Sequence, residues 1–363
     1  MLYLIQIKNS RKMTMKSITI TVAVLAGTLL SVQIYAEGLY FQHKDWELAC
    51  DNTGTCRAAG YQTEDNMDSL ASILFTRKAG ASTPVTAQAA LMMFKDDDVY
   101  EIKGKIKLFI NGKDYGVINY SSSQSSYILS QTQTQAILRH AEGSQNIEFR
   151  HASGINTVSD QGLTAILLKM DEYQHRLDTS GALIRKGNVS EKNVLTAKPL
   201  TVIYAKKLPD QDNQSFEPHS QIYQKLKIKL LAAISDKQDC PVLLDADRSF
   251  ASDKKIYVYD LTPKKALIES VCWTGAYNTG FGYWIINKDW TGAAQLVTTD
   301  ASGLTDISVT SAQKGRGIGD CWSQDEWVWN GKSFIHGSSA TTGMCRGFPG
   351  GAWKLNTISS DIK

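Results

Sequence analysis

Six cysteines, Cys50, Cys56, Cys240, Cys272, Cys321 and Cys345, constrain this chain more than any other feature. What they mean depends on where the protein is kept. An apolar run from Ile18 to Leu30 follows Lys8, Arg11, Lys12 and Lys16 and ends at Ile34-Tyr35-Ala36. That is the layout of a signal peptide over residues 1–36, with cleavage after Ala36. The run is too short for a membrane span, so no stable span is expected once it is removed. An even cysteine count in an exported chain implies disulfides. Fifteen pairings are formally open. Neighbours, 50–56, 240–272 and 321–345, are favoured because a long gap after Cys56 separates two groups. Closing the two longer loops would stabilise by roughly 3–4 kcal/mol each in the chain-entropy account. Zinc is disfavoured. No Cys-x-x-Cys occurs and no histidine sits at ligand spacing from a cysteine pair.

Four of the 39 basic residues and none of the 36 acidic ones precede residue 37, so the remainder carries a net charge of −1. A near-neutral chain argues against non-specific nucleic-acid binding. The length suits two domains. The expected fold is α+β, mainly antiparallel β. A β-rich domain with two helices spans 37–197, a linker 198–218, and an aromatic-rich, disulfide-stapled β domain 219–363.

In the first half, strands are expected at Lys44–Ala49, Thr55–Tyr61, Ser72–Arg77, Gln88–Met93, Lys105–Asn111 and Tyr115–Tyr120. The last two are joined by Asn111-Gly112-Lys113-Asp114, a hairpin signal. Ile106, Leu108 and Ile110 alternate with Lys105, Lys107 and Phe109, so one face should be buried. Asp96-Asp97-Asp98 lacks the spaced ligands and terminal glutamate of a calcium loop and is expected to be a solvated turn. Ser130-Gln131-Thr132-Gln133 has the form of a capping box, with Gly143 suiting the helix end. A second helix is expected from about Asp160 to Leu177, capped by Ser159. Its apolar face is Leu163, Ile166, Leu167, Met170, Tyr173 and Leu177. Glu172 and Arg176 would pair on its outside.

Trp46-x3-Cys50-Asp51-Asn52 and Cys56-Arg57-Ala58-Ala59-Gly60-Tyr61 resemble the start of a family of exported bacterial six-cysteine proteins catalogued as a domain of unknown function. Leu167-Leu168-Lys169-Met170-Asp171-Glu172-Tyr173-Gln174-x-Arg176, with Thr179 and Ala182-Leu183, is similar to its central helix and following loop. The match departs at Thr157–Gln161, which is more polar. The opening segment is also similar to invasion-associated locus B proteins. The resemblance implies an envelope setting, periplasmic or secreted from a Gram-negative bacterium, and no activity.

In the second half a helix is expected from His219 to Ser235, with Ile222, Leu226, Leu230 and Ile234 as its stripe. Strands follow at Lys255–Leu261, Ala266–Trp273, Gly282–Ile286, Gln295–Thr299 and Leu304–Thr310. A hairpin is expected at Glu326–Trp329 and Ser333–His336, turning at Asn330-Gly331. Seven of the eight tryptophans lie after residue 270. Most should be core, since large aromatics favour mutual packing. Trp327 and Trp329 point the same way on one strand and offer a possible ligand platform.

Gly315-x-Gly317-x-Gly319 lacks the strand-to-helix setting of a dinucleotide fingerprint. No Gly-x-Ser-x-Gly, Walker loop or His-Glu-x-x-His occurs. No catalytic residue, metal or cofactor is assigned, and the chain is read as a non-enzyme. The best polar constellation is Arg316, Asp320 and Arg346. A 321–345 bridge would bring Asp320 and Arg346 close. The expected ligand site is Arg316, Asp320, Trp327, Trp329 and Arg346. The expected function is binding an envelope or extracellular glycan, peptide or protein. The alternatives are a glycan-active enzyme, or an inhibitor of a host or rival enzyme.

Overall fold

The computed structural model describes residues 38–95, 98–209, 213–246, 249 and 251–363. The expected signal segment, Asp96, Asp97 and part of the expected linker, 210–212, lie outside the described residues. The described residues belong to one compact unit, and the fold is α+β dominated by antiparallel β.

An eleven-stranded antiparallel sheet occupies the first half. Its path runs from Leu39–His43 through Trp46–Cys50, Cys56–Tyr61, Ser69–Arg77 and Val85–Lys95 to Ser126–Leu129. It continues through Lys113–Ser121 and Ile106–Ile110 to Ile147–His151 and Gly154–Val158, with Asp98–Glu101 beside Val85–Lys95. The far edge comes back to the middle, where Asn156 Nδ2 donates to the Leu70 and Met92 carbonyls, at 2.9 Å each. Ile106, Leu108 and Ile110 are buried and the residues between them are half-buried, as their alternation predicts. The turn between this strand and the next holds only Asn111 and Gly112, with φ 51° and 78°. Positive φ at both centres is what a two-residue turn matching strand twist requires.

Helix Gln131–Arg139 carries the expected capping box between Ser130 and Gln133. The second helix is shorter than expected, Leu163–Tyr173. Ser159 does not cap it. Its Oγ accepts the Gln161 amide at 3.1 Å, and the cap is Gly162 at φ 105°. A Cβ there would meet the His43 carbonyl oxygen at 2.1 Å, so the close approach needs glycine. At the other end His175 takes φ 55°. Its amide bonds Glu172 O, and the Arg176 amide bonds Asp171 O at 2.7 Å. This Schellman closure ends the helix before Arg176. Glu172 pairs with Lys169, and Arg176 turns inward, fully buried. The expected Glu172–Arg176 pair therefore does not form.

The second half contains two five-stranded antiparallel sheets. One runs Asn213–Phe216, Ile256–Asp260, Lys265–Thr274, Thr279–Asn287, Gln295–Ala301. The other runs Gly303–Leu304, Ser308–Lys314, Trp322–Trp329, Phe334–Thr341, Leu355–Ile358. Helix Gln221–Ala232, capped by Ser220, covers the first through Tyr223, Leu226 and Leu230. Ile222 is exposed rather than part of that stripe. Cys240 and Cys272 are bridged, and both lie in this core. Leu261, Leu267, Tyr283, Ile285, Ala301, Val309 and Trp329 form the core between the two sheets.

The three disulfides are 50–56, 240–272 and 321–345, the neighbour pairing. Several connections among the described residues tie early and late chain together, the parallel strand pair and an apolar cover among them. Thr201–Ile203, inside the expected linker, pairs in parallel with Ser360–Ile362. Phe348 and Leu355, with Met344 and Trp353 beside them, cover Ala49, Ala59, Tyr61, Leu70 and Leu74 of the first sheet. Trp353 Nε1 donates to Ser72 Oγ at 2.7 Å. That cover is why Trp46–Cys50 is buried on both faces.

Candidate functional site

The glycine-rich loop before Cys321 is shaped by the disulfide itself. A Cβ on Gly315 would lie 2.6 Å from Cys321 Sγ and 3.1 Å from Cys345 Sγ, so only glycine lets the chain pass the bridge. Arg316 reaches forward to Asp320 with both a 2.7 Å bond from Nε and a second bond from Nη2. The Gly347 amide donates to the same carboxylate at 2.6 Å. Burial alone would raise the Asp320 pKa. The Arg316 fork and the Gly347 amide outweigh it and hold the carboxyl below its ordinary value.

Arg346 does not join this pair. Its Nη2 donates to Asp45 at 2.8 Å in the first half of the chain, while its carbonyl accepts from Gln62. The bridge brings the two loops together, but the carboxylate that Arg346 meets belongs to the turn at Lys44-Asp45. The two tryptophans border one core, Trp329 within it and Trp327 packed against it. Trp329 is buried in the inter-sheet core beside Phe334, ring centroids 5.1 Å apart. Trp327 is half-buried and stacks on His336 at 4.9 Å, and His336 Nε2 lies 2.9 Å from Asp325. The hairpin is Trp322–Trp329 with Phe334–Thr341. Its turn is longer than the expected Asn-Gly pair, because Asn330 Oδ1 accepts from the amides of both Lys332 and Ser333.

What the loop does border is an apolar pocket of about 360 Å³. Met67, Leu70, Phe94, Val99, Ile318 and Pro349 line it, with Asp68, Asp320 and Gly347. Ile318 is 71% exposed and Phe94 43% at its mouth. Gly347 has φ 86°, and a Cβ there would meet Met67 Cε at 2.8 Å. Sequence reasoning located one wall, the loop, and missed the other, which comes from strands far away in the chain. A signal was available in Ile318, an isolated large apolar residue inside a glycine-rich loop.

A buried carboxylate was also missed. Glu47 is fully buried. It accepts from Tyr61 Oη at 2.6 Å, Tyr40 Oη at 2.8 Å and the Met344 amide at 2.7 Å. Burial pushes its pKa up more than these donors and Arg346 pull it down. Asp320, Cys321 and Cys345 bring their side-chain ligand atoms within 4.8 Å of one another. Both sulfurs are spent in the bridge, so no thiolate remains for a metal.

The profile of a family described as a protein of unknown function, DUF1176, matches residues 40–360. The chain belongs to the DUF1176 family. One relative of this DUF1176 protein is the uncharacterized protein YpfG of Escherichia coli (strain K12). It is 26% identical over 313 residues, covering 80% of this chain and 84% of that protein. No solved structure matches.

Proposed function

We propose that this DUF1176 protein is an exported envelope binding protein that seats a bulky apolar side chain of a peptide partner, next to a lysine or arginine. The observation that carries this is the apolar pocket under the 315–320 loop, with Ile318 and Phe94 left in water at its mouth. Solvated apolar groups around a concave apolar site mark interaction surfaces. The pocket's charged members are both carboxylates. Asp320 is neutralised by Arg316, and Asp68 stands exposed at the rim, which selects a cationic neighbour on the partner.

A methyl-detected NMR titration with the peptide acetyl-Gly-Phe-Lys-Gly-amide tests the reading. Shifts confined to Met67, Leu70 and Ile318 are expected, with binding about tenfold weaker in Ile318→Ser. The same peptide with glutamate for lysine should bind more weakly. Equal affinity of Ile318→Ser and the parent, or no shift at these methyls, would refute the assignment.

Export rests on the leader at residues 1–36. The three disulfides are consistent with an oxidising compartment. No helix among the described residues is long and apolar enough to cross a membrane. N-terminal sequencing of protein from the periplasmic or secreted fraction should begin at Glu37. Recovery with residues 1–36 retained contradicts it.

A further inference from the structure

We propose that a second site, the cleft between the Cys50–Cys56 loop and the C-terminal strands, binds the phosphate of a polyol phosphate ester. The cleft has a volume of about 600 Å³, within the usual range for small-ligand sites. Four cations, Arg57, Lys78, Lys198 and Lys354, line it against two carboxylates, Asp51 and Glu326.

Asp51 is satisfied within its own loop and by Arg57, so the three lysines face one carboxylate, Glu326, and keep an excess of positive charge. Asp51 is almost wholly buried. Its Oδ1 accepts the amides of Thr53 and Thr55 and the Thr53 hydroxyl. Its Oδ2 accepts Arg57 at 2.9 Å and the Ser359 hydroxyl at 3.2 Å. Glu326 accepts the Ser308 hydroxyl at 2.8 Å. Lys78, Lys198 and Lys354 are exposed, and none of them appears in an ion pair among the described residues. Like charges gathered on one concave wall repel one another and raise the local concentration of anions.

The walls are already fixed before any ligand arrives. The Cys50–Cys56 bridge closes one. Asn52 and Ser359 exchange two hydrogen bonds, at 3.0 and 2.7 Å, which lock that loop to the C-terminal segment. The Lys198 amide bonds Thr53 O at 3.1 Å. Pre-ordering of this kind spares a ligand the entropy of building its site.

The type of cation chooses the anion. The one guanidinium on the cleft wall, Arg57, has Nη1 committed to Asp51, so the cleft's unpaired positive charge is carried mainly by ammonium groups. Three separate ammonium groups act as point charges, which suit a tetrahedral phosphate approached from several sides. Ser338 and Asn356 on the same wall offer partners for hydroxyls of a polyol.

The phosphate can be that of a free ester or of a lipid headgroup, and two probes separate these. Isothermal titration with sn-glycerol 1-phosphate at about 50 mM NaCl should show saturable binding that weakens on raising the salt. Sedimentation with phosphatidylglycerol vesicles, against phosphatidylcholine vesicles, reads the lipid form. Binding of the free ester alone assigns a soluble ligand. Retention on phosphatidylglycerol as well assigns a headgroup. In either case the double variant Lys198→Glu/Lys354→Glu should bind about tenfold or more weakly, with an unchanged melting temperature, since both side chains are exposed. Lys332→Glu, at the hairpin turn away from the cleft, changes net charge by two units and should stay within about twofold of the parent. Ile318→Ser should bind the ester as the parent does, so this site and the peptide pocket stand or fall separately. The proposal is overturned if neither probe binds saturably, if the double variant binds like the parent, or if Lys332→Glu loses as much.

Discussion

Arg176→Met should lower the free energy of unfolding by about 3–5 kcal/mol, read from chemical denaturation. The guanidinium is fully buried. It donates from Nε to Gln174 at 3.0 Å and from Nη1 to Glu191 at 3.2 Å. Nη2 donates to Gly80 O at 2.6 Å and Thr83 Oγ1 at 2.9 Å. One side chain thus joins the helix end, the 78–83 turn and the segment around Glu191. Methionine fills similar volume but strands these acceptors without a donor, and leaving buried acceptors unmet is the costly part. Arg176→Lys keeps the charge and should recover only part of the loss, because a single ammonium cannot replace a fork that reaches four acceptors. A methionine variant within about 1 kcal/mol of the parent would show that water or local rearrangement supplies those partners.

Glu47→Ala should cost a comparable amount, about 3–5 kcal/mol, because it leaves Tyr61 Oη, Tyr40 Oη and the Met344 amide without their acceptor. Glu47→Gln keeps an acceptor for Tyr61 and Met344 and should be far milder. The two variants also separate through pH. Burial holds the folded Glu47 pKa above its ordinary value of 4.5. The folded state therefore binds more proton than the unfolded state above that pH. This group's contribution is fully present below 4.5 and declines as pH rises toward the folded pKa. Glutamine does not titrate, so the stability of Glu47→Gln relative to the parent should rise with pH across that window. A pH-independent difference would mean that the three donors cancel the burial effect.

Both residues show where sequence reading stops. A strand that alternates, as Trp46-Glu47-Leu48 does, ordinarily leaves its glutamate in water. That reading holds only while one face of the strand is open, and here Phe348 and Leu355, just over three hundred positions later, help close it. Arg176 stands four residues after Glu172, which looks like an exposed helical pair. The pair fails because His175 takes a left-handed backbone that no local pattern announces. Local signals fared better. The Ser130 capping box, the Asn111-Gly112 turn, the alternation at 106–110 and the neighbour disulfides each depend on residues close in sequence or on a simple grouping, and each is present. The candidate pockets were legible on one side only. Loop 315–320 was visible as a glycine cluster, but its apolar partner wall at Met67, Leu70, Phe94 and Val99 is assembled by topology. The same is true of Lys78, Lys198 and Lys354.

The late segment that covers the first sheet also sets a schedule. A chain made from its N-terminus can pair Cys50–Tyr61 early, since the contacts are local and loop closure over so few residues is cheap. The second face of Trp46–Cys50 must then wait, wet, until Met344–Leu355 has emerged and Cys321 has met Cys345. Contacts across such a separation slow folding and leave apolar strand surface open to other chains in the interval. The last bridge closed is therefore also the step that removes the early sheet from the reach of aggregation, and a holding chaperone would matter most in the interval before that bridge forms.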